Sequence, residues 1–127
     1  MDMLNETVRR PWGSYTVLSR GVGFQVKRLT VQPQKRLSLQ WHRHRDEAWI
    51  VARGSALITL DGKELSLGRG QTLIVPRTTQ HRIANISSID PLEIVEVQTG
   101  DYLGEDDIVR VEDDFDRADA DAEGPAT

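Results

Sequence analysis

Short runs of apolar or alternating apolar and polar residues recur along most of the chain. They cover Tyr15–Leu18, Phe24–Val31, Leu37–Gln40, Trp49–Ala52, Ala56–Leu60, Glu64–Leu67, Thr72–Val75, His81–Asn85 and Leu92–Gln98. Between them lie turn-forming residues: Ser19-Arg20-Gly21, Gln32-Pro33-Gln34, Arg53-Gly54, Asp61-Gly62, Gly68-Arg69-Gly70 and Asp90-Pro91. A period of two bounded by such residues predicts strands. Asp61-Gly62, flanked by two such runs, predicts a tight hairpin, because both residues tolerate positive φ. No window of helical length before residue 100 carries a 3.6-residue period. The pattern predicts an all-β chain, a small barrel or sandwich.

After residue 100 the pattern changes. Gly104-Glu105-Asp106-Asp107-Ile108-Val109-Arg110 reads as a turn entering a short ordered segment. Beyond Arg117 the residues are acidic and small. They have too little apolar surface to offset the entropy of ordering, so a disordered acidic tail is expected over 118–127. A length of 127 residues suits one domain.

The net charge of −4 divides unevenly. Residues 1–100 carry 14 basic and 9 acidic residues, and residues 101–127 carry 2 and 11. A basic body can attract small anions, whereas the absence of a basic run interleaved with aromatics disfavours nucleic acid. No apolar run approaches a membrane span, and the N-terminal residues lack the apolar core of an export signal. A cytoplasmic protein is expected. Cysteine is absent, which excludes disulfides, thiolate metal sites and cysteine nucleophiles.

The chemistry left available centres on three histidines: His42, His44 and His81. Residues two apart on a strand share a face, so Gln40 and His42 lie together, with His44 a further candidate. Glu47, after a three-residue turn, can return a carboxylate to that face, and His81 opens another strand. Imidazole, carboxylate and amide oxygen form a mixed N/O donor set suited to a divalent metal. From spacing alone, a metal site and ordinary structural or solvated histidines both remain open.

Two blocks raise the specificity. Gln40-x-His42-x4-Glu47-x6-Gly54 resembles the first cupin motif, with Gln40 in the first His position. Gly70-x5-Pro76-x-Thr78-x2-His81-x3-Asn85 resembles the second, with Thr78 at the inner Gly position. Further segments resemble the type II phosphomannose isomerase family of the cupin superfamily: Arg10-Pro11-Trp12-Gly13-Ser14-Tyr15, Pro91 to Gln98, and Gly100 to Arg110. In that family the unit is often the isomerase half of a bifunctional mannose-1-phosphate guanylyltransferase. The resemblance covers about residues 10–117, leaving 1–9 as an N-terminal arm and 118–127 as the tail. No Gly-rich nucleotide loop is present, so guanylyltransferase activity is not carried over. Trp41, Arg43, Asp46, Ala48, Thr78 and Gln80 depart from the family pattern, and Arg43 and Ala48 alter the rim of the pocket.

The resemblance implies a single-domain cupin, a double-stranded β-helix or jelly-roll barrel with a short C-terminal acidic extension. It implies one divalent metal (Zn, Mn, Co, Ni or Fe) held by Gln40, His42, Glu47 and His81, with His44 in the pocket. A second set replaces Gln40 by His44. It also implies interconversion of mannose 6-phosphate and fructose 6-phosphate through an enediol, in carbohydrate metabolism and polysaccharide biosynthesis. The alternatives are a non-catalytic sugar- or partner-binding cupin, or a cupin epimerase or dioxygenase. Strand parity nominates Lys27 for phosphate or sugar contact and Glu96 as a base, each with an outward-facing alternative. Arg110 is a candidate clamp, its alternative a salt bridge to Asp106 or Asp107. The expected partners are a small sugar phosphate and, through an exposed strand edge, a second copy in a homodimer.

Overall fold

The computed structural model describes residues 2–117, so the tail expected over 118–127 lies outside the described residues. Eleven strands run in chain order. They are β1 (Thr7–Arg10), β2 (Gly13–Gly21), β3 (Phe24–Val31), β4 (Leu39–His42), β5 (Arg45–Arg53) and β6 (Ala56–Leu60). There follow β7 (Lys63–Leu67), β8 (Thr72–Val75), β9 (His81–Ala84), β10 (Leu92–Gly100) and β11 (Ile108–Glu112). A single 3-10 turn, Glu105–Asp107, precedes β11, and no α-helix occurs among the described residues. One antiparallel sheet has the order β1-β2-β3-β10-β5-β8, the other β11-β4-β9-β6-β7. This is the all-β jelly roll that the two motif blocks imply.

The strands depart from the apolar pattern in an instructive way. β5 begins at Arg45, four residues before the Trp49 start that hydrophobicity predicts, so only Arg43 and His44 separate β4 from β5. Glu47 therefore sits within a strand and not after a three-residue turn. β1 begins in the predicted arm, crosses its end at residue 9, and pairs with β2 from Thr7↔Thr16 to Arg10↔Gly13. β11 is the ordered segment expected after Gly104. It inserts beside β4, pairing Arg110 with Gln40 and Ile108 with His42.

The core joins both sheets through Val17, Leu29, Val31, Val51, Ile58, Val75, Ile83, Leu92 and Ile94, all buried. Each such side chain contributes roughly 1.5–3 kcal/mol on leaving water. Along β3, β10 and β5 the inward face changes character in register. Leu92 pairs with Val31, and Ile94 pairs with both Leu29 and Val51. Two residues on, Glu96 pairs with Lys27 and Trp49, and then Gln98 pairs with Gln25 and Glu47. The same parity that fills the barrel with aliphatics at one end aims charge and amides inward at the other.

Two turns fix this alignment. Asp61 and Gly62 both adopt left-handed φ, 49° and 78°, as the β6–β7 hairpin requires. Gly54, which closes the first motif block, has φ +84°, and a Cβ there would stand 2.9 Å from the Pro91 carbonyl oxygen. At Gly62 (φ +78°) a Cβ would meet nothing within 4 Å. Gly54→Ala should therefore lower the urea midpoint more than Gly62→Ala. Strain alone costs each about 1–3 kcal/mol, and the backbone clash adds to it only at Gly54. Equal midpoints in the two variants would reject the close approach as the reason for this glycine.

Candidate metal centre

Gln40 and His42 end β4, His81 opens β9 opposite Gln40, and Glu47 enters from β5 of the other sheet. The site is thus assembled where the two sheets meet. His42, Glu47 and His81 are all under 5% exposed. His42 Nε2 lies 3.2 Å from His81 Nε2 and 3.3 Å from Glu47 Oε2, and His81 Nε2 lies 3.7 Å from Glu47 Oε1. Among the described residues these three form a cluster able to hold a metal ion, with one ligand atom from each within 4.8 Å of the others.

The hydrogen bonds around the rings decide which atoms face inward. His42 Nδ1 lies 3.3 Å from the Asp107 carbonyl oxygen, and His81 Nδ1 lies 2.9 Å from that of Thr79. A carbonyl only accepts, so each Nδ1 carries the proton and each Nε2 presents a lone pair. Burial, the largest influence, pushes the His42 imidazole down to about 3 and lowers that of His81. Both rings are neutral, the protonation state a metal requires. Two lone pairs 3.2 Å apart beside a carboxylate form a concentration of negative potential that a cation would neutralise. Gln40 commits its amide nitrogen to Ser38, at 3.1 Å from Oγ and 3.4 Å from the carbonyl. Its carbonyl oxygen is the part left to act as a ligand. The donor set fits a divalent ion.

A second layer holds the carboxylate. Arg45 Nε donates to Glu47 Oε2 at 2.8 Å, and Arg45 Nη2 lies 3.3 Å from His42 Nε2. Trp49 Nε1 is shared between Glu47 Oε1 at 3.1 Å and Glu96 Oε2 at 3.0 Å. Burial opposes the Glu47 charge most strongly, yet attraction to the Arg45 guanidinium and a hydrogen bond from Glu96 leave its pKa lowered. Glu96 moves the opposite way: burial first, then the Glu47 charge, raises its pKa, so it keeps a proton that Glu47 has lost. Two buried carboxyls in contact cannot both ionise, and the one that Arg45 contacts directly takes the charge. Gln98 Nε2 donates to Glu96 Oε1 at 2.7 Å, Gln25 Nε2 to Gln98 Oε1 at 2.8 Å, and Arg20 Nε to Gln25 Oε1 at 3.1 Å. Because arginine only donates, Arg20 sets the orientation of both amides.

One cavity, of about 60 Å³, is lined by Lys27, Gln40, Glu47, His81, Glu96 and Arg110 among others. His42 adjoins it through its contacts with His81, Glu47 and Arg45. Lys27 is buried, 3.0 Å from Glu105 and 4.3 Å above the Tyr15 ring. Glu96 is inward, 5% exposed. His44 is exposed, edge-on to Tyr102 with ring centroids 6.1 Å apart, and does not line the cavity. Its backbone N–H and that of Arg43 instead donate to the buried Asp107 carboxylate, at 2.9 and 3.1 Å. Sequence reasoning missed Arg45, Asp107, Glu105 and Gln98. Arg45 was within reach, since it shares the parity of Glu47 and Trp49; nothing in the acidic run distinguishes Glu105 or Asp107 from solvated neighbours.

The family model described as mannose-6-phosphate isomerase C-terminal matches residues 2–113. The alginate biosynthesis protein AlgA of Pseudomonas aeruginosa is 54% identical over 110 residues, covering 87% of this chain and 23% of that protein. A mannose-1-phosphate guanylyltransferase of Sinorhizobium fredii is 48% identical over 111 residues, covering 87% of this chain and 22% of that protein. The chain thus spans less than a quarter of the length of these curated relatives. KdgF from a Halomonas species shares the fold, with a TM-score of 0.69 at 12% identity over 76% of this chain and 88% of that one.

The split between the two carboxyls has a measurable consequence. Above the unfolded value of 4.5, the unfolded Glu96 carboxyl ionises while the folded one holds its proton. The stability it contributes is complete below that value and declines as pH rises toward the raised folded value. Glu96→Gln does not titrate, so its stability relative to the wild type should rise from pH 5 to pH 8, by at most about 1.4 kcal/mol per pH unit. Urea midpoints at the two pH values measure this; a constant difference would show that Glu96 ionises as it does in water.

Proposed function

The chain belongs to the mannose-6-phosphate isomerase C-terminal family, and we propose that it interconverts mannose 6-phosphate and fructose 6-phosphate through an enediol. The observation that carries this reading is the convergence of the His42 and His81 lone pairs on the Glu47 carboxylate, beside a cavity lined by cations. His42, Glu47, His81 and the Gln40 carbonyl oxygen would hold one divalent metal. Nitrogen and oxygen donors of this kind suit Zn, Mn, Co, Ni or Fe. Such an ion, when bound, supplies Lewis-acid stabilisation of negative charge developing on the sugar oxygens.

The remaining work falls to the chain's own groups. An aldose–ketose interconversion moves a proton between adjacent carbons, so one group must take it and return it. Glu96 suits this role, because a carboxyl whose pKa is raised toward the operating pH exchanges protons readily in both directions. Trp49 and Gln98 hold its two oxygens in place. Lys27, Arg45 and Arg110 offer positive charge to the phosphate or hydroxyls. An anchored phosphate supplies binding energy that positions the remote reacting carbons. The name of AlgA refers to alginate biosynthesis, and a supply of sugar phosphate for polysaccharide assembly is consistent with this reaction. β8 ends the six-stranded sheet with Ile74 64% exposed and, on adjacent β5, Ile50 39% exposed; this edge supports pairing into a homodimer.

A coupled isomerase assay with mannose 6-phosphate, on chelated and then metal-reloaded protein, tests the reading. Turnover should vanish on chelation and return with at least one divalent metal; its absence despite bound metal would overturn the assignment. Glu47→Ala should drop metal content well below that of the wild type by elemental analysis, and an unchanged content would reject the ligand set. Light scattering should give twice the chain mass, and a monomer would reject the dimer.

A further inference from the structure

The small cavity beside the metal centre does not stand alone. A second cavity, of about 620 Å³, shares Arg10, Tyr15, Lys27 and Glu105 with it and opens outward between β2, β3 and the segment Gly100–Asp106. At about 60 Å³ the inner space is far below the roughly 300–1,000 Å³ of sites that bury small ligands. The two spaces together are of the right order. The Glu105 side chain stands at their shared wall, 37% exposed.

What Glu105 touches there is unusual. Its Oε2 lies 3.0 Å from Lys27 Nζ and 3.7 Å from Arg45 Nη1, and both cations are over 90% buried. Arg45 commits Nε to Glu47, but its Nη1 is buried without a hydrogen-bond partner. A buried guanidinium nitrogen left unsatisfied is costly, and at 3.7 Å the single carboxylate oxygen is too far away to satisfy it. An anion with more oxygens would reach both donors.

We propose that the Glu105 carboxylate is an internal competitor for the anionic group of the substrate, seated in an anion subsite between Lys27 and Arg45. This rests on the sugar-phosphate reading above. A phosphate carries up to two charges and several acceptor oxygens, enough to bond Lys27 and the unsatisfied Arg45 Nη1 together. To do so it must displace Glu105, which then turns out toward the larger cavity and joins the two spaces. The apparent affinity for phosphate is the intrinsic one reduced by the fraction of molecules in which Glu105 is already displaced. Glu105 thereby sets the threshold an anion must exceed, while keeping the two buried cations compensated until one arrives.

Titration calorimetry with inorganic phosphate as the probe, on the full chain prepared identically in each case, tests this. Glu105→Gln preserves shape and removes the charge. Glu105→Asp preserves the charge and withdraws it by one methylene from the Lys27 ammonium. Both variants should bind phosphate more tightly, on the order of tenfold for a tenth of molecules open. Adding Lys27→Met to Glu105→Gln should abolish the gain. Equal or weaker binding by Glu105→Gln would overturn the proposal. So would a gain in Glu105→Gln with none in Glu105→Asp, which would reveal a long-range field effect, or a gain that survives Lys27→Met. Loss of isomerase turnover in the wild type would sink the functional reading and leave this phosphate comparison standing.

Discussion

A negative charge placed where water cannot reach it governs this barrel. Glu47 is 3% exposed, and an isolated carboxylate so deeply buried would simply take up a proton. It stays ionised because Arg45 reaches it from two residues away on the same strand, Trp49 donates from the other side, and Glu96 carries the proton in its place. Losing one partner of a buried pair typically costs about 3–5 kcal/mol, since the charge left behind has nothing to compensate it. The same carboxylate stands beside the two imidazole nitrogens that carry lone pairs.

That demand explains the division of the interior. The sheet β3-β10-β5 is apolar inward at one end and polar inward at the other, in register across all three strands. Leu29, Ile94 and Val51 form a rigid floor. Lys27, Glu96, Trp49 and Glu47 stand directly above it, with the Trp49 indole hydrogen-bonded to both carboxyls. A chain of two glutamines with a fixed donor direction, anchored at Arg20, braces the upper layer from outside. Catalytic geometry needs this kind of support, because a loosely held carboxyl loses both its position and its altered affinity for protons.

How much of this was legible depends on which signal each residue gives. The aliphatic ends of the strands, and the hairpin at Asp61-Gly62, follow directly from period-two patterning and turn chemistry. Spacing drew attention to Gln40, His42, Glu47 and His81, since Gln40 and His42 share parity and scarce histidines cluster, but only the resemblance of two motif blocks made them a candidate ligand set. The start of β5 was hidden, because Arg45 and Glu47 point inward and break the apolar alternation that marks a buried strand face. Lys27 and Glu96 were decidable only up to a choice of face, and their neighbours Leu29 and Ile94 held the answer. Glu105 and Asp107 sit in one acidic run, yet one faces two buried cations and the other is buried against backbone N–H groups. Only the path of the chain after Gly100 separates them from Asp101 or Asp106. His44 shows the converse: its residue type suggested chemistry, and its backbone turned out to be what Asp107 binds.

Asp107 and β11 also fix an order of events in biosynthesis. The carbonyl that sets the His42 tautomer is 65 residues further along the chain, and β11 is the strand that seals β4. At about 5–20 residues per second, synthesis delivers that partner several seconds after His42 has emerged. Until then the nascent chain has an open edge at β4 and an imidazole with no fixed orientation. The His42–Glu47–His81 cluster is consequently among the last parts of the domain to be completed, when the sheet that carries Glu47 and Glu96 can already have formed.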